Sequence, residues 1–185
     1  MDHSKNTNNN NICRGKLTDD EYLRHMIPHH QVAIDISEIH RKKSKSPKIQ
    51  QILRKLIWIQ KIEIALMEHV LKNKTEKISD YSKMHSYYRE TIADFIKPNK
   101  AGLTKTYCDP HFFNPEEHMK HINNMKLDDK MYIKHMIPHH QVAVDMSKVL
   151  INNTKNDYMI YLAYNIIRSQ QDEILILNEY LHSSY

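Results

Sequence analysis

The chain has almost no glycine, with two residues in 185. Glycine supplies the positive φ angles that tight hairpins and phosphate-cradling loops need, so its scarcity argues against a turn-rich all-β fold and against a Gly-rich nucleotide loop. Cysteine is as scarce. Cys13 and Cys108 make no C-x-x-C pair and no disulfide framework, which fits a reducing compartment. No run of about 18 apolar residues is present to span a membrane. The opening stretch, MDHSKNTNNNNICRGK, holds no apolar segment of the secretory type, so a cytoplasmic or virion location is expected rather than secretion. Its polar, Asn-rich composition predicts a disordered tail over residues 1–17.

The charge balance is only mildly basic, +5 with 14 histidines counted as neutral. Much of it lies in the run His40-Arg41-Lys42-Lys43-Ser44-Lys45-Ser46-Pro47-Lys48. No aromatics interleave with these cations, so the run reads as a solvated interhelical loop and no nucleic-acid partner is expected. Apolar residues make up 40% of the chain, enough for one globular domain. The bias toward Ile, Lys and Asn resembles coding in an AT-rich genome, such as that of a large virus or a protist parasite.

What the chain does contain is the nonapeptide HMIPHHQVA, twice and without a change, as His25–Ala33 and His135–Ala143. A shift of 110 residues also superposes Asp19 on Asp129, Tyr22 on Tyr132, Asp35 on Asp145, Ser37 on Ser147, Gln60 on Gln170, Glu63 on Glu173, Ile64 on Ile174 and Leu71 on Leu181. The chain therefore reads as an internal repeat, 18–72 and 128–182, joined by a crossover over 73–127. Two copies of this length do not make a solenoid, but each suits a helical hairpin.

Helical periodicity supports that reading. At 100° per residue, Tyr22, His25, Met26, His29, His30, Ala33, Ile36, Ser37 and His40 fall on one arc, opposite Arg24, Gln31, Asp35 and Glu38. The second copy repeats the pattern. Thr18 or Asp19, and Asp128 or Asp129, suit the N-caps. Pro28 and Pro138 fall inside the histidine blocks, where each either kinks a continuous helix or opens a fresh one. A second helix in each copy, roughly 48–72 and 156–182, carries Gln60 and Glu63, or Gln170 and Glu173, on its apolar stripe. A buried carboxylate needs compensation from a histidine or a metal on a facing helix. In the crossover, 79–97 reads as a helix, 99–115 as a loop and 116–122 as a short helix. His111, His118, Met119, His121 and Met125 lie nearby. The fold predicted is all-α: a single domain over 18–185, a ferritin-like four-helix bundle of two hairpins with one long helical crossover.

His25 and His29 are one turn apart, as are Met26 and His30, so each pair can share one ion. Imidazole suits copper, zinc, nickel and iron, while a thioether selects soft ions such as Cu(I) and Ag(I). The mixture points to copper, with zinc as the alternative. Glu63 and Glu173 would either orient an imidazole through its second nitrogen or bind the ion directly. The expected metal-site residues are His25, Met26, His29, His30, Glu63, His135, Met136, His139, His140 and Glu173. The plainer reading is a structural or interaction bundle in which the histidines are hydrogen-bonded core residues and the methionines only pack. His40 aligns with Leu150 and His69 with Glu179, so neither has a counterpart, and His40 reads as structural. Glu-x-x-His spacing of the di-iron kind occurs once, Glu179 to His182, which makes a ferritin-like redox enzyme the weakest reading. No catalytic residues are expected.

The block Met26-Ile27-Pro28-His29-His30-Gln31-x-Ala33, followed by Gln60-x-x-Glu63-Ile64, resembles the domain-of-unknown-function family 305, and both copies match it. The resemblance covers about 110 residues. It implies a ferritin-like helical bundle and copper or silver binding. The positions it carries over are Met26, His29, His30, Met136, His139 and His140, which His25 and His135 join on local geometry. The expected function is non-enzymatic copper or silver sequestration or delivery, with a metal ion as partner and no protein partner identified.

Overall fold

A computed structural model describes residues 17–73, 120, 122 and 127–183. Four long helices carry the fold: α1 (Asp19–Arg41), α2 (Pro47–Lys72), α3 (Asp129–Asn153) and α4 (Asp157–Ser183). Among the described residues there is no strand, and no helix is long and apolar enough to cross a membrane. The tail over residues 1–16, both cysteines, and His111, His118, Met119, His121 and Met125 lie outside the described residues. So does the helix expected over 79–97.

Each helix starts where the sequence supplies an oxygen for its orphan N–H groups. Thr18 and Glu21 form a reciprocal capping box, in which Glu21 N–H donates to Thr18 Oγ1 at 3.2 Å and Thr18 N–H donates to Glu21 Oε2 at 2.9 Å. These bonds hold the Glu21 carboxyl below its ordinary range. Ser46 caps α2 with Pro47 in its first turn, and Asp128 Oδ1 accepts from Met131 N–H at 2.8 Å at the start of α3. Asn156 Oδ1 accepts from Tyr158 N–H at 3.1 Å at the start of α4. Pro28 and Pro138 do not restart their helices: α1 and α3 each run through the proline, whose missing N–H removes one intrahelical bond.

The connections from α1 to α2 and from α3 to α4 are only a few residues long, so each pair is an antiparallel hairpin. The hairpins meet through α1 and α3, with α2 and α4 in weaker contact. Here α1 and α3 cross antiparallel. Tyr22 Oη lies 2.7 Å from Ser147 Oγ, and Tyr132 Oη lies 2.8 Å from Ser37 Oγ. All four residues are buried. These bonds correspond at the 110-residue offset, as they do in two-fold related halves. His40 closes the same end as Tyr132, donating from Nε2 to Asp129 Oδ1 at 2.7 Å and stacking on the Tyr132 ring at 4.7 Å.

The core is layered along the bundle. One apolar cluster gathers Leu17, Tyr22, Leu23 and Met26 with Met67, Met146, Leu150 and Met159. Leu17, the last residue of the expected tail, thus belongs to this core. The other gathers Ile36, Ile49, Leu53 and Leu56 with Ile122, Tyr132, Met136 and Leu177. Between them lies a polar layer of His29, His30, Gln60, Glu63, His139, His140, Gln170 and Glu173, every one of them buried. Transfer of apolar surface from water drives the two end clusters together, and the helices carry the polar layer into the dry interior with them.

Tyr22→Phe leaves Ser147 Oγ buried without its partner, so it should cost about 1–2 kcal/mol. Tyr132→Phe should cost the same, and the double variant roughly the sum, because the two bonds lie at opposite ends of the α1–α3 contact. Urea midpoints measure all three.

Candidate metal centre

The centre of the polar layer is the crossing of α1 and α3. The His29 and His139 rings stack across it at 3.7 Å between centroids. His29 Nε2–H donates to the His139 carbonyl at 3.1 Å. His30 and His140 flank this stack, with centroids 6.0 Å and 6.1 Å from His29 and His139 respectively. Their Nε2 atoms point to the second helices of the hairpins. His30 Nε2–H donates to Glu63 Oε2 at 2.8 Å, and His140 Nε2 lies 2.7 Å from Glu173 Oε2. For His30 the hydrogen bond to the carboxylate makes Nε2 the donor of a neutral imidazole, which leaves Nδ1 with the lone pair. His30 Nδ1 and His140 Nδ1 are buried with no hydrogen-bond partner among the described residues.

Glu63 has a second partner that sequence spacing does not reveal. Ser169 Oγ, on α4, donates to Glu63 Oε1 at 2.6 Å. Gln60 and Gln170 lie one turn from Glu63 and Glu173 on the same faces, and both are buried.

Of the ten residues expected to hold a metal, eight are buried: Met26, His29, His30, Glu63, Met136, His139, His140 and Glu173. Met26 and Met136 belong to the two apolar clusters, one turn from His30 and His140. His25 and His135 are only half-buried, at the rim of the bundle. The His135 ring packs against His139 at 6.2 Å. Burial pushes the His25 imidazole below its ordinary range, against the pull of Glu21. No group of three or more His, Cys, Asp or Glu side chains converges on one point among the described residues. What the layer shows is imidazole facing carboxylate, His30 with Glu63 and His140 with Glu173.

His40 is structural, as its unmatched position suggests, and is held by Asp129 and Tyr132. Glu179 and His182 are exposed at the end of α4, where His182 Nδ1 bonds the Asn178 carbonyl and Glu179 faces Lys48 at 3.6 Å. The roles of Tyr22, Ser37, Tyr132 and Ser147 were within reach of the sequence, since both Tyr and both Ser positions coincide at the 110-residue shift. That each Tyr pairs with the Ser of the other copy required the crossing of α1 and α3.

A family model described as Domain of unknown function (DUF305) matches residues 19–181, and the chain belongs to that family. An uncharacterised protein of Acanthamoeba polyphaga mimivirus is 49% identical over 55 residues, which are 30% of this chain and 36% of that protein. The match thus spans only about a third of that relative's length. Among solved structures, CopM in the Ag-bound form obtained by soaking is 25% identical with a TM-score of 0.65, over 92% of this chain and 99% of that one. CopM in the Cu(II)-bound form is 26% identical with a TM-score of 0.65, over 92% and 100%. In the Cu(I)-bound form it is 28% identical with a TM-score of 0.58, over 91% and 99%.

Burial lowers the affinity of His40 for a proton, and the Asp129 hydrogen bond only partly offsets this. The folded imidazole therefore binds a proton less readily than the unfolded one. Its contribution to stability is full above the unfolded value of about 6.5 and is lost as pH falls below it. Between pH 7.5 and 5.5 the wild-type urea midpoint should fall more than that of His40→Gln. Parallel declines would show that His40 carries none of the pH dependence.

Proposed function

We propose that this DUF305 chain is a non-catalytic metal-binding protein that takes up copper or silver ions through its two His/Met blocks, for sequestration or delivery. The observation that carries the reading is the pair of buried Nδ1 atoms, His30 and His140, each without a hydrogen-bond partner among the described residues while the other ring nitrogen faces a carboxylate. A carboxylate on one nitrogen orients the ring and raises its basicity, so the opposite lone pair becomes a better ligand. Met26 and Met136 place a thioether one turn from each of these imidazoles, and thioethers favour Cu(I) and Ag(I). The likeness to CopM, solved with Ag, Cu(I) and Cu(II), supports the same reading. The ion is cargo rather than a fixed cofactor.

In this reading the ligand set is the one expected from the sequence. His29, His30, His139 and His140 lie at the centre with Met26 and Met136 beside them. His25 and His135 stand at the rim as the first donors an entering ion meets, and Glu63 and Glu173 lie behind the inner imidazoles. The two hairpins are copies of one ancestral unit in a ferritin-like bundle, which explains why the donors come in matched halves.

A second reading has an observation of its own. The His29–His139 stack and the His30–Glu63 bond satisfy part of the layer within the protein, as a purely structural polar core would. The quadruple variant His29→Gln, His30→Gln, His139→Gln, His140→Gln separates the two. Metal content after equilibration with Cu(I) or Ag(I), beside far-ultraviolet circular dichroism, is the measurement. Lost uptake with a retained helical signal is the expected result. Unchanged uptake with a lost fold would leave the structural reading standing. In the wild type, uptake should weaken as pH falls through the histidine range near about 6.5, because protons compete for the same lone pairs.

A further inference from the structure

The two halves of the polar layer match in residue type but not in how their carboxylates are satisfied. Glu63 is held from both sides, with Ser169 Oγ donating to one oxygen at 2.6 Å and His30 Nε2 donating to the other at 2.8 Å. Glu173 is only 2% exposed, yet neither of its oxygens has a hydrogen-bond partner among the described residues. His140 Nε2 stands 2.7 Å from Oε2, at ion-pair distance but out of line for a hydrogen bond. Both nitrogens of His140 and both polar atoms of the Gln170 amide likewise lack a hydrogen bond among the described residues, whereas in the other half Gln60 lacks one at Oε1 alone. One residue accounts for the difference. The position that matches Ser169 at the 110-residue offset is Ile59, which has no hydroxyl to give.

Buried polar groups in native cores are nearly always paired, and a buried carboxylate without compensation is among the costliest exceptions. Here a carboxylate, an imidazole and an amide lack hydrogen bonds together, two of them one turn apart on α4 and the third facing the carboxylate from α3 at ion-pair distance. A cation would satisfy all three. Imidazole nitrogen with carboxylate and amide oxygens is a borderline-to-hard donor set, suited to a divalent transition ion, whereas the thioethers of Met26 and Met136 suit a soft monovalent one. We propose that His140, Glu173 and Gln170 form a binding site for a divalent ion of the Cu(II) class. The matching residues His30, Glu63 and Gln60 do not, because Ser169 holds Glu63 in a positioning role. The proposal rests on the metal-binding reading above and adds which half takes the divalent ion, and with which donors.

The test uses the full chain, stripped of metal and titrated with Cu(II) by calorimetry and electron paramagnetic resonance. Glu173→Gln should weaken the first Cu(II) equivalent at least tenfold and alter its spectrum, while Glu63→Gln changes it less than threefold. Ag(I) affinity should move less than threefold in Ile59→Ser, which leaves both carboxylates in place. Metal-free, Glu63→Gln should lower the thermal midpoint more than Glu173→Gln, because Glu63 accepts two hydrogen bonds and Glu173 makes a single ion-pair contact. Ile59→Ser offers Glu173 the hydroxyl that Glu63 already has and should weaken Cu(II) at least threefold. It also carries the comparison if Glu173→Gln does not fold. Equal Cu(II) losses in the two Glu variants, or an unchanged Cu(II) affinity in Ile59→Ser, overturn the assignment while retained Ag(I) uptake leaves the broader reading in place. A wild-type chain that binds Cu(II), Cu(I) and Ag(I) no better than the quadruple His→Gln variant overturns both.

Discussion

The structure depends on the burial of a polar layer where α1 crosses α3. Four imidazoles, two carboxylates and two amides sit in the middle of a helical core with apolar clusters on either side. Each such group left unpaired costs about 1–3 kcal/mol. The layer survives because the clusters at the two ends, with Tyr22–Ser147 and Tyr132–Ser37 at their seams, lock the register of the crossing. A slip of one helical turn would separate the His29–His139 stack and both Tyr–Ser bonds together.

That arrangement explains why the polar side chains meet in pairs rather than in one cluster. Two-fold related helices that cross antiparallel bring equivalent residues face to face only at the crossing point, which is where His29 meets His139. His30 and His140, one residue on and so rotated about 100° around their helices, turn away from the crossing and find partners on their own hairpins, in Glu63 and Glu173. Residues one turn away diverge along the two axes. Met26 and Met136 diverge into opposite apolar clusters. The result is one imidazole facing one carboxylate within each hairpin, with the His29–His139 stack between them.

The halves are nevertheless not identical, and the difference comes from the outer helices. Ser169 on α4 satisfies Glu63, whereas position 59 on α2 is isoleucine. His40 meets Asp129 at one end of the α1–α3 contact, while Leu150 takes the matching place at the other. A nearly symmetric scaffold with a few asymmetric side chains can give two similar sites different chemistry without any change of backbone.

Much of this was legible in the sequence. The 110-residue shift and the helical period located four helices, their buried faces and the caps of α1 and α3, because i, i+3 and i, i+4 spacing is a local property of the chain; the caps of α2 and α4, Ser46 and Asn156, came only with the structure. They also placed Gln60, Glu63, Gln170 and Glu173 inside, and set His40 apart as structural. The period placed His25 and His135 with the inner histidines, but both are only half-buried. Other features were decided only by the tertiary structure: the exchange of Tyr–Ser partners between halves, the stacking of His29 on His139, the closure of His40 on Asp129, and the hydroxyl of Ser169 on Glu63. Each joins residues on different helices, many of them far apart in the chain. Spacing along one helix fixes which way a side chain points, but the crossing and register of packed helices fix what it meets.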